Sequence, residues 1–287
     1  MAQSLKVIKT RVRSIQSTEK VTSAMQMIAV TKLSRIERQL TAMRPYFKKL
    51  ESLFCHLTQY EHNATLLNSP FFKQNEKKEK ILLCVFTSDT GLCGAYNNNI
   101  IRQAEEFIYR QGKEKVKLVV IGKRGFKYFN SRGFNIINSY IGLNAKYSDK
   151  VCDEITKALS SIFLAQEADE IYLAYTHFET ALILRPTIIK FLNLEIEPTE
   201  GIDYIFEPGR ERILEEMLPK YISFKMRSIF LEAFTSEHAA RTVAMRAATE
   251  NARELLHWLI LLRNKVRQAN ITRDILEIIS SAEALKG

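Results

Sequence analysis

Two long stretches, one near each end of this chain, carry a helical rhythm with almost nothing to interrupt it, and this limits the available folds more than any other feature. From about Ser4 to Thr58, Leu5, Ile8, Val12 and Ile15 step by three and four. Val21, Met25 and Ile28 continue the stripe slightly displaced around the cylinder, and Leu33, Ile36, Leu40, Met43, Phe47, Leu50, Phe54 and Leu57 resume it. Pro45 is the one obstacle and predicts a kink or local break. The second stretch begins at Pro219, a residue suited to a first helical turn, and runs to about Leu285. Its apolar marks are Ile222, Met226, Ile229, Ala233, Ala240, Ala244, Ala247, Leu255, Trp258, Leu262, Val266, Ala269, Ile275, Ile279 and Ala282. At 1.5 Å per residue the two helices would be on the order of 80 and 100 Å long, and neither hides in a compact domain without a partner of similar length. An antiparallel coiled coil of the two ends satisfies both, with the alanine-rich middle allowing close backbone approach.

The region between them has another texture. Lys80–Ser88 and Val116–Ile121 are short apolar runs typical of buried strands, separated by a helical stretch from about Asn97 to Arg110. Tyr147 to Glu167 reads as a helix, and Ile171 to Thr176 and Leu182 to Phe191 as further strands turning near His177–Thr180. This alternation predicts a Rossmann-like open α/β domain set between the helices. The expected organisation is a coiled-coil helix over 1–60, a polar linker over 61–79, an α/β foot over 80–208 and a second coiled-coil helix over 209–287. Hydrophobic residues make up 46% of the chain, so wholesale disorder is not expected. No run of roughly 20 apolar residues is present to span a bilayer, and Met1–Lys9 shows neither a signal core nor an Arg/Ser-rich transit pattern.

Chemistry within the chain has little support. Thr87-Ser-Asp-Thr-Gly-Leu-Cys-Gly94 follows a strand and precedes a helix, where open sheets often bind phosphate. It matches neither G-x-G-x-x-G nor G-x-x-x-x-G-K-[ST], and Gly122-Lys-Arg-Gly125 is equally unspecific, so a helix-capping turn is the simpler reading. His56, His62, His177, His238 and His257 form no ligand spacing, and Cys55, Cys84, Cys93 and Cys152 form no C-x-x-C pair. No catalytic residue, metal or cofactor is therefore expected. The net charge of +10 does have a shape: Arg11, Arg13, Lys20, Lys32 and Arg35 on the first helix, and Arg241, Arg246, Arg263, Lys265, Arg267 and Arg273 on the last, would form a positive sleeve. Nucleic acid, an anionic membrane or an acidic protein could each use such a sleeve.

Longer patterns narrow the choice. Ile8-Lys-Thr-Arg-Val-Arg-Ser-Ile-Gln-Ser-Thr-Glu-Lys-Val-Thr-Ser-Ala-Met-Gln-Met-Ile-Ala29 resembles the N-terminal helix of the gamma subunits of F-type rotary ATP synthases. Ser236–Asn251 and Asn264–Ile278 are similar to their C-terminal helix, and Thr87–Gly94 resembles their Ser/Asp-Arg-Gly-Leu-Cys-Gly stretch, with Thr90 in place of the usual Arg. The resemblance implies a central shaft that carries torque between an ion-driven membrane ring and a hexamer of alpha and beta subunits, which hold all the nucleotide chemistry, and that regulates ATPase activity and ion flow. It implies alpha, beta and epsilon subunits and the c-ring as partners, no nucleic acid, and membrane association only through the complex, on the cytoplasmic face of a bacterial inner membrane.

By match to the family's motifs, Arg267, Gln268 and Thr272 would contact catch loops of the beta subunit, and Met25 and Arg241 its acidic lever. Ile275, Ile278, Ile279 and Leu285 would sit in an apolar bearing, and Tyr204 and Glu207 would stand on the rotor ring. Phe206 stands where the family often has Tyr, so no hydroxyl contact carries over there. Ordinary packing is the plainer account of Met25, and a solvated charge that of Arg241. The regulatory cysteine insert of chloroplast homologues has no counterpart, and no thiol switch is expected.

Overall fold

A computed structural model describes residues 5–59, 69–72, 79–194, 207 and 209–284. The elements, in order, are α1 (Leu5–Gln59), β1 (Ile81–Phe86), α2 (Tyr96–Gln111), a 3₁₀ turn (Lys113–Lys115), β2 (Val116–Ile121), α3 (Lys123–Ser131), β3 (Ile136–Tyr140), α4 (Asp149–Leu164), β4 (Glu170–Phe178), β5 (Leu184–Leu192) and α5 (Arg210–Ala284). Residues group into two compact units that cut across the long helices: 1–28 with 242–287, and 29–241.

In the first unit, α1 and α5 run antiparallel. Arg253 Nε donates to Glu19 Oε1 at 2.9 Å, and three residues further along α1 the Thr249 hydroxyl donates to Thr22 Oγ1, also at 2.9 Å, as antiparallel pairing requires. Ile8 and Val12 are buried against Leu259, with Ile15, Leu256, Leu262 and Val266 packed around them. The buried positions of α5 here are Met245, Thr249, Ala252 and Leu259. This corrects the expected stripe through Leu255 and Trp258, which are 43% and 55% exposed. The sequence has large aliphatics on two adjoining stripes, and periodicity cannot say which one meets the partner helix; Ile8 and Val12 select the Leu259 side.

In the second unit the five strands lie in the order β3-β2-β1-β4-β5, the first four parallel and β5 antiparallel to β4. β1 is buried along its whole length because both faces are covered. Ile81, Leu83 and Val85 face Ile100, Ala104 and Ile108 of α2 and Phe129 of α3. Leu82, Cys84 and Phe86 face the larger core built with α4, the C-terminal half of α1 and the N-terminal half of α5. Aromatic contacts fasten those two halves: Phe54 stacks on Tyr221 at 4.1 Å, Tyr46 meets Phe224 at 4.9 Å, and Phe230 sets its edge on Phe86 at 4.9 Å. A central sheet wound by helices thus bears out the Rossmann-like α/β fold, flanked by long antiparallel helices.

The local break expected at Pro45 and the helix start expected at Pro219 both need correction. α1 is continuous across Pro45, and α5 starts at Arg210 with Pro219 inside it. Proline removes one backbone bond, but apolar side chains on both sides hold each helix in place. Leu40 and Leu50 are buried around Pro45, and Leu214, Leu218 and Ile222 around Pro219. β3 and α3 had no clear signal, for β3 is partly exposed at the sheet edge and α3 buries only Gly125 and Phe129. The expected linker 61–79 lies mostly outside the described residues, as do Tyr204 and Leu285.

Candidate functional site

The C-terminal edge of the parallel strands, where an open sheet would hold a phosphate, is closed by the chain's own groups. Thr87 Oγ1 donates to the Ile121 carbonyl at 2.8 Å and accepts from the Gly125 N–H at 2.9 Å. Gly122 lies so close that a Cβ there would collide with the Thr87 carbonyl, and its φ of 96° favours glycine as well. Asp89 completes the closure. Its carboxylate accepts the backbone N–H groups of Lys123 at the start of α3, of Gly142 and of Asn144, at 3.0, 3.0 and 2.7 Å. A nucleotide phosphate would have to displace an anion already seated on those donors. Replacing Asp89 with Ala is expected to cost about 1 kcal/mol, since water can reach these exposed amides, measured by urea unfolding of the full chain against Asp89→Asn, which keeps one acceptor.

Other reactive groups are equally enclosed. Cys84, Cys93 and Cys152 are buried, and none of the four cysteines is in a disulfide. Burial pushes all three of those thiols up, Cys152 to about 12, so little thiolate is available near neutrality. ATPase rates of the assembled complex are therefore expected to be equal with and without reductant; a reversible change lost on replacing a cysteine contradicts this. Among the described residues no cluster of His, Cys, Asp and Glu could hold a metal ion.

The carried-over contact residues fall into three settings. Arg267, Gln268, Thr272, Ile275, Ile278 and Ile279 all lie on one length of α5, from 267 to 284, in which every residue is exposed. Ile271, Ile275, Leu276, Ile278 and Ile279 are each at least half exposed on this length, an apolar surface that ordinary monomers do not leave in water. It follows from the pairing of Glu19 with Arg253 and Thr22 with Thr249 that the α1 residue opposite 266 is about Leu5. Beyond that point α5 passes the described start of α1. Met25 belongs to a second exposed group with Val21, Met27 and Ile28 on α1. Glu207 is exposed.

Arg241 is in the third setting. Its side chain is only 13% exposed, and its guanidinium pairs with Glu237 Oε1 at 2.7 Å. It also donates to Thr90 Oγ1 at 3.0 Å and to the Thr90 and Gly91 carbonyls at 3.3 Å, and it lies 3.3 Å from His238 Nδ1. Sequence reasoning placed Arg241 on a surface but missed Glu237, although the spacing of four on one helix was there to be read.

Comparison with known proteins places this geometry. A family model described as ATP synthase matches residues 4–285. The ATP synthase gamma chain of Chlorobium phaeobacteroides strain DSM 266 is 37% identical over 294 residues, covering 99% of each chain. This chain belongs to the ATP synthase gamma chain family. The gamma chain of Protochlamydia amoebophila is likewise 37% identical, with 99% of each chain covered. Among solved structures, a chain of the Euglena gracilis mitochondrial ATP synthase, in an OSCP/F1/c-ring assembly, matches with a TM-score of 0.68 at 15% identity, over 98% of this chain and 94% of that one. That likeness concerns the fold, and the gamma-chain fold accounts for both the open sheet and the long helices.

Proposed function

We propose that this chain is the central shaft of a rotary ATP synthase, transmitting torque between a membrane-embedded ring and catalytic alpha and beta subunits, with no chemistry of its own. The observation that carries this reading is the bare length of α5, where five large aliphatics stand in water next to Arg267, Gln268 and Thr272. Such a surface suits an enclosing sleeve of other subunits. Non-directional contacts of Ile275, Ile278, Ile279 and Leu285 with an apolar bearing resist turning less than hydrogen bonds would. Arg267, Gln268 and Thr272 would form directed bonds with the beta-subunit catch loops, breaking and remaking them in each turn.

Met25 would meet the acidic lever of the beta subunit together with Arg241, and for Arg241 that contact has to compete with Glu237. Tyr204 and Glu207 would stand on the c-ring, and the α/β unit would carry the epsilon subunit. Asymmetry of the shaft would bias three otherwise identical sites toward different nucleotide affinities, and through that regulate hydrolysis and ion flow. The complex would sit peripherally on the cytoplasmic face of a bacterial inner membrane. Reconstitution with alpha and beta subunits tests the reading: ATPase activity restored by this chain supports it, and an assembly equally active without the chain contradicts it.

A further inference from the structure

Arg241 has its back to the role the family motif gives it, and its surroundings suggest how it is released. Glu237 is 2% exposed, so its carboxylate is almost wholly withdrawn from water. It faces Arg241 on its own helix, Lys32 on α1, and Asp89, Cys93 and Tyr96 on the β1–α2 connection and α2, while His238 lies against Arg241. Tyr96 is itself committed, its hydroxyl donating to the Ala233 carbonyl at 3.1 Å. His238 lies 3.3 Å from the Ala145 carbonyl. Besides its contact with His238, Arg241 makes four contacts between this pocket and the turn at Thr90 and Gly91, the shortest and only charged one being that to Glu237. The remaining three go to a hydroxyl and two carbonyls, acceptors that water can replace.

We propose that Glu237 and Arg241 form a proton-operated latch: the ionised carboxylate holds the guanidinium on the Thr90–Gly91 turn, and protonation frees it to meet an acidic surface of a surrounding subunit. The latch is a property of this chain alone, while the meaning of its release rests on the shaft reading. Burial dominates the ionisation of Glu237 and, opposed by Arg241, raises it to about 7. The window is therefore physiological. His238 does not compete, because burial and Arg241 depress it to about 4 and keep it neutral here.

The sign of the linkage is fixed by the native carboxyl ionising above its ordinary value of 4.5. The native state binds the extra proton, so Glu237 contributes stability that is present below pH 4.5 and lost as pH rises through about 7. Glu237→Gln removes this dependence. The melting temperature of the Glu237→Gln chain minus that of wild type is expected to rise by several degrees between pH 5.5 and about 7 and to level off above it. A difference that stays constant with pH overturns the latch. Where the variant fails to fold, infrared spectroscopy of the wild-type chain decides: a buried protonated-carboxyl band lost on raising the pH through 7 supports the latch, and its absence at pH 5.5 overturns it.

The release arm uses the complex reconstituted with alpha and beta subunits. The ratio of Glu237→Gln to wild-type ATPase rate is expected to be near one below pH 6 and to differ from one by about twofold above pH 8, the scale of one ion pair between Arg241 and the surface of a neighbouring subunit. A flat ratio alongside a titrating carboxyl overturns the release step and leaves the shaft reading standing. Failure of wild type itself to support ATPase activity counts against the shaft reading while leaving the latch in the isolated chain intact.

Discussion

Replacing Gln268 with Leu is expected to lower the ATPase turnover of the reconstituted complex about tenfold while leaving the fold of the chain intact. Gln268 is exposed on a length of α5 where every neighbour is exposed as well, so no internal contact is lost. Leucine is a good helix former, and a surface exchange of this kind changes stability by about 0.5 kcal/mol or less. What disappears is an amide able to donate and accept. If the catch contact is remade in each turn with a charged partner, losing it removes about 1.5 kcal/mol from the step it assists, which is the tenfold effect. Circular dichroism and a melting curve establish that the variant folds. Wild-type turnover in a folded variant counts against the catch assignment.

The largest stability effect is expected at Glu232. This residue of α5 is buried, with its side chain 10% exposed, and binds His177 Nδ1 at 2.6 Å and Arg44 Nη2 at 3.5 Å. Tyr175 is also in hydrogen-bonding contact with it, and the nearby negative charge adds to burial in holding the Tyr175 phenol well above its ordinary range. One carboxylate thus joins α1, β4 and α5. The Arg44 guanidinium also donates to the Phe178 carbonyl, and the neighbouring Ser236 hydroxyl donates to the Thr176 carbonyl at 2.8 Å. Glu232→Ala leaves Arg44, His177 and Tyr175 without their common acceptor and is expected to cost about 3 kcal/mol. Glu232→Gln keeps an acceptor of the same size and should lose about half of that. Chemical denaturation of the full chain measures both. A loss below 0.5 kcal/mol for the alanine variant would show that the three elements are held by apolar packing alone.

The parts of this fold that could be read from sequence were those whose burial is uniform. β1, β2 and β4 are apolar because strands covered on both faces have no polar side, and the long helices could be read because their stripes persist over many turns. β3 and α3 were hidden because an edge strand and a short helix bury too little to leave a pattern. Pro45 and Pro219 misled in the same way: a local penalty is visible in sequence, whereas the packing of Leu40, Leu50, Leu214 and Leu218 that overrides it depends on residues far along the chain. The contact residues were legible only through family resemblance. Nothing in the local sequence distinguishes Gln268 from any other exposed glutamine, and the inward turn of Arg241 toward Thr90 joins positions 151 residues apart.

Rotation of this chain inside the hexamer is the central claim. Its most direct test fixes the alpha/beta hexamer to a surface, attaches a bead to the α/β unit of this chain, and adds ATP. The account predicts that the bead turns continuously in one direction for as long as ATP is hydrolysed. Hydrolysis at an undiminished rate under a bead that stays still would contradict it.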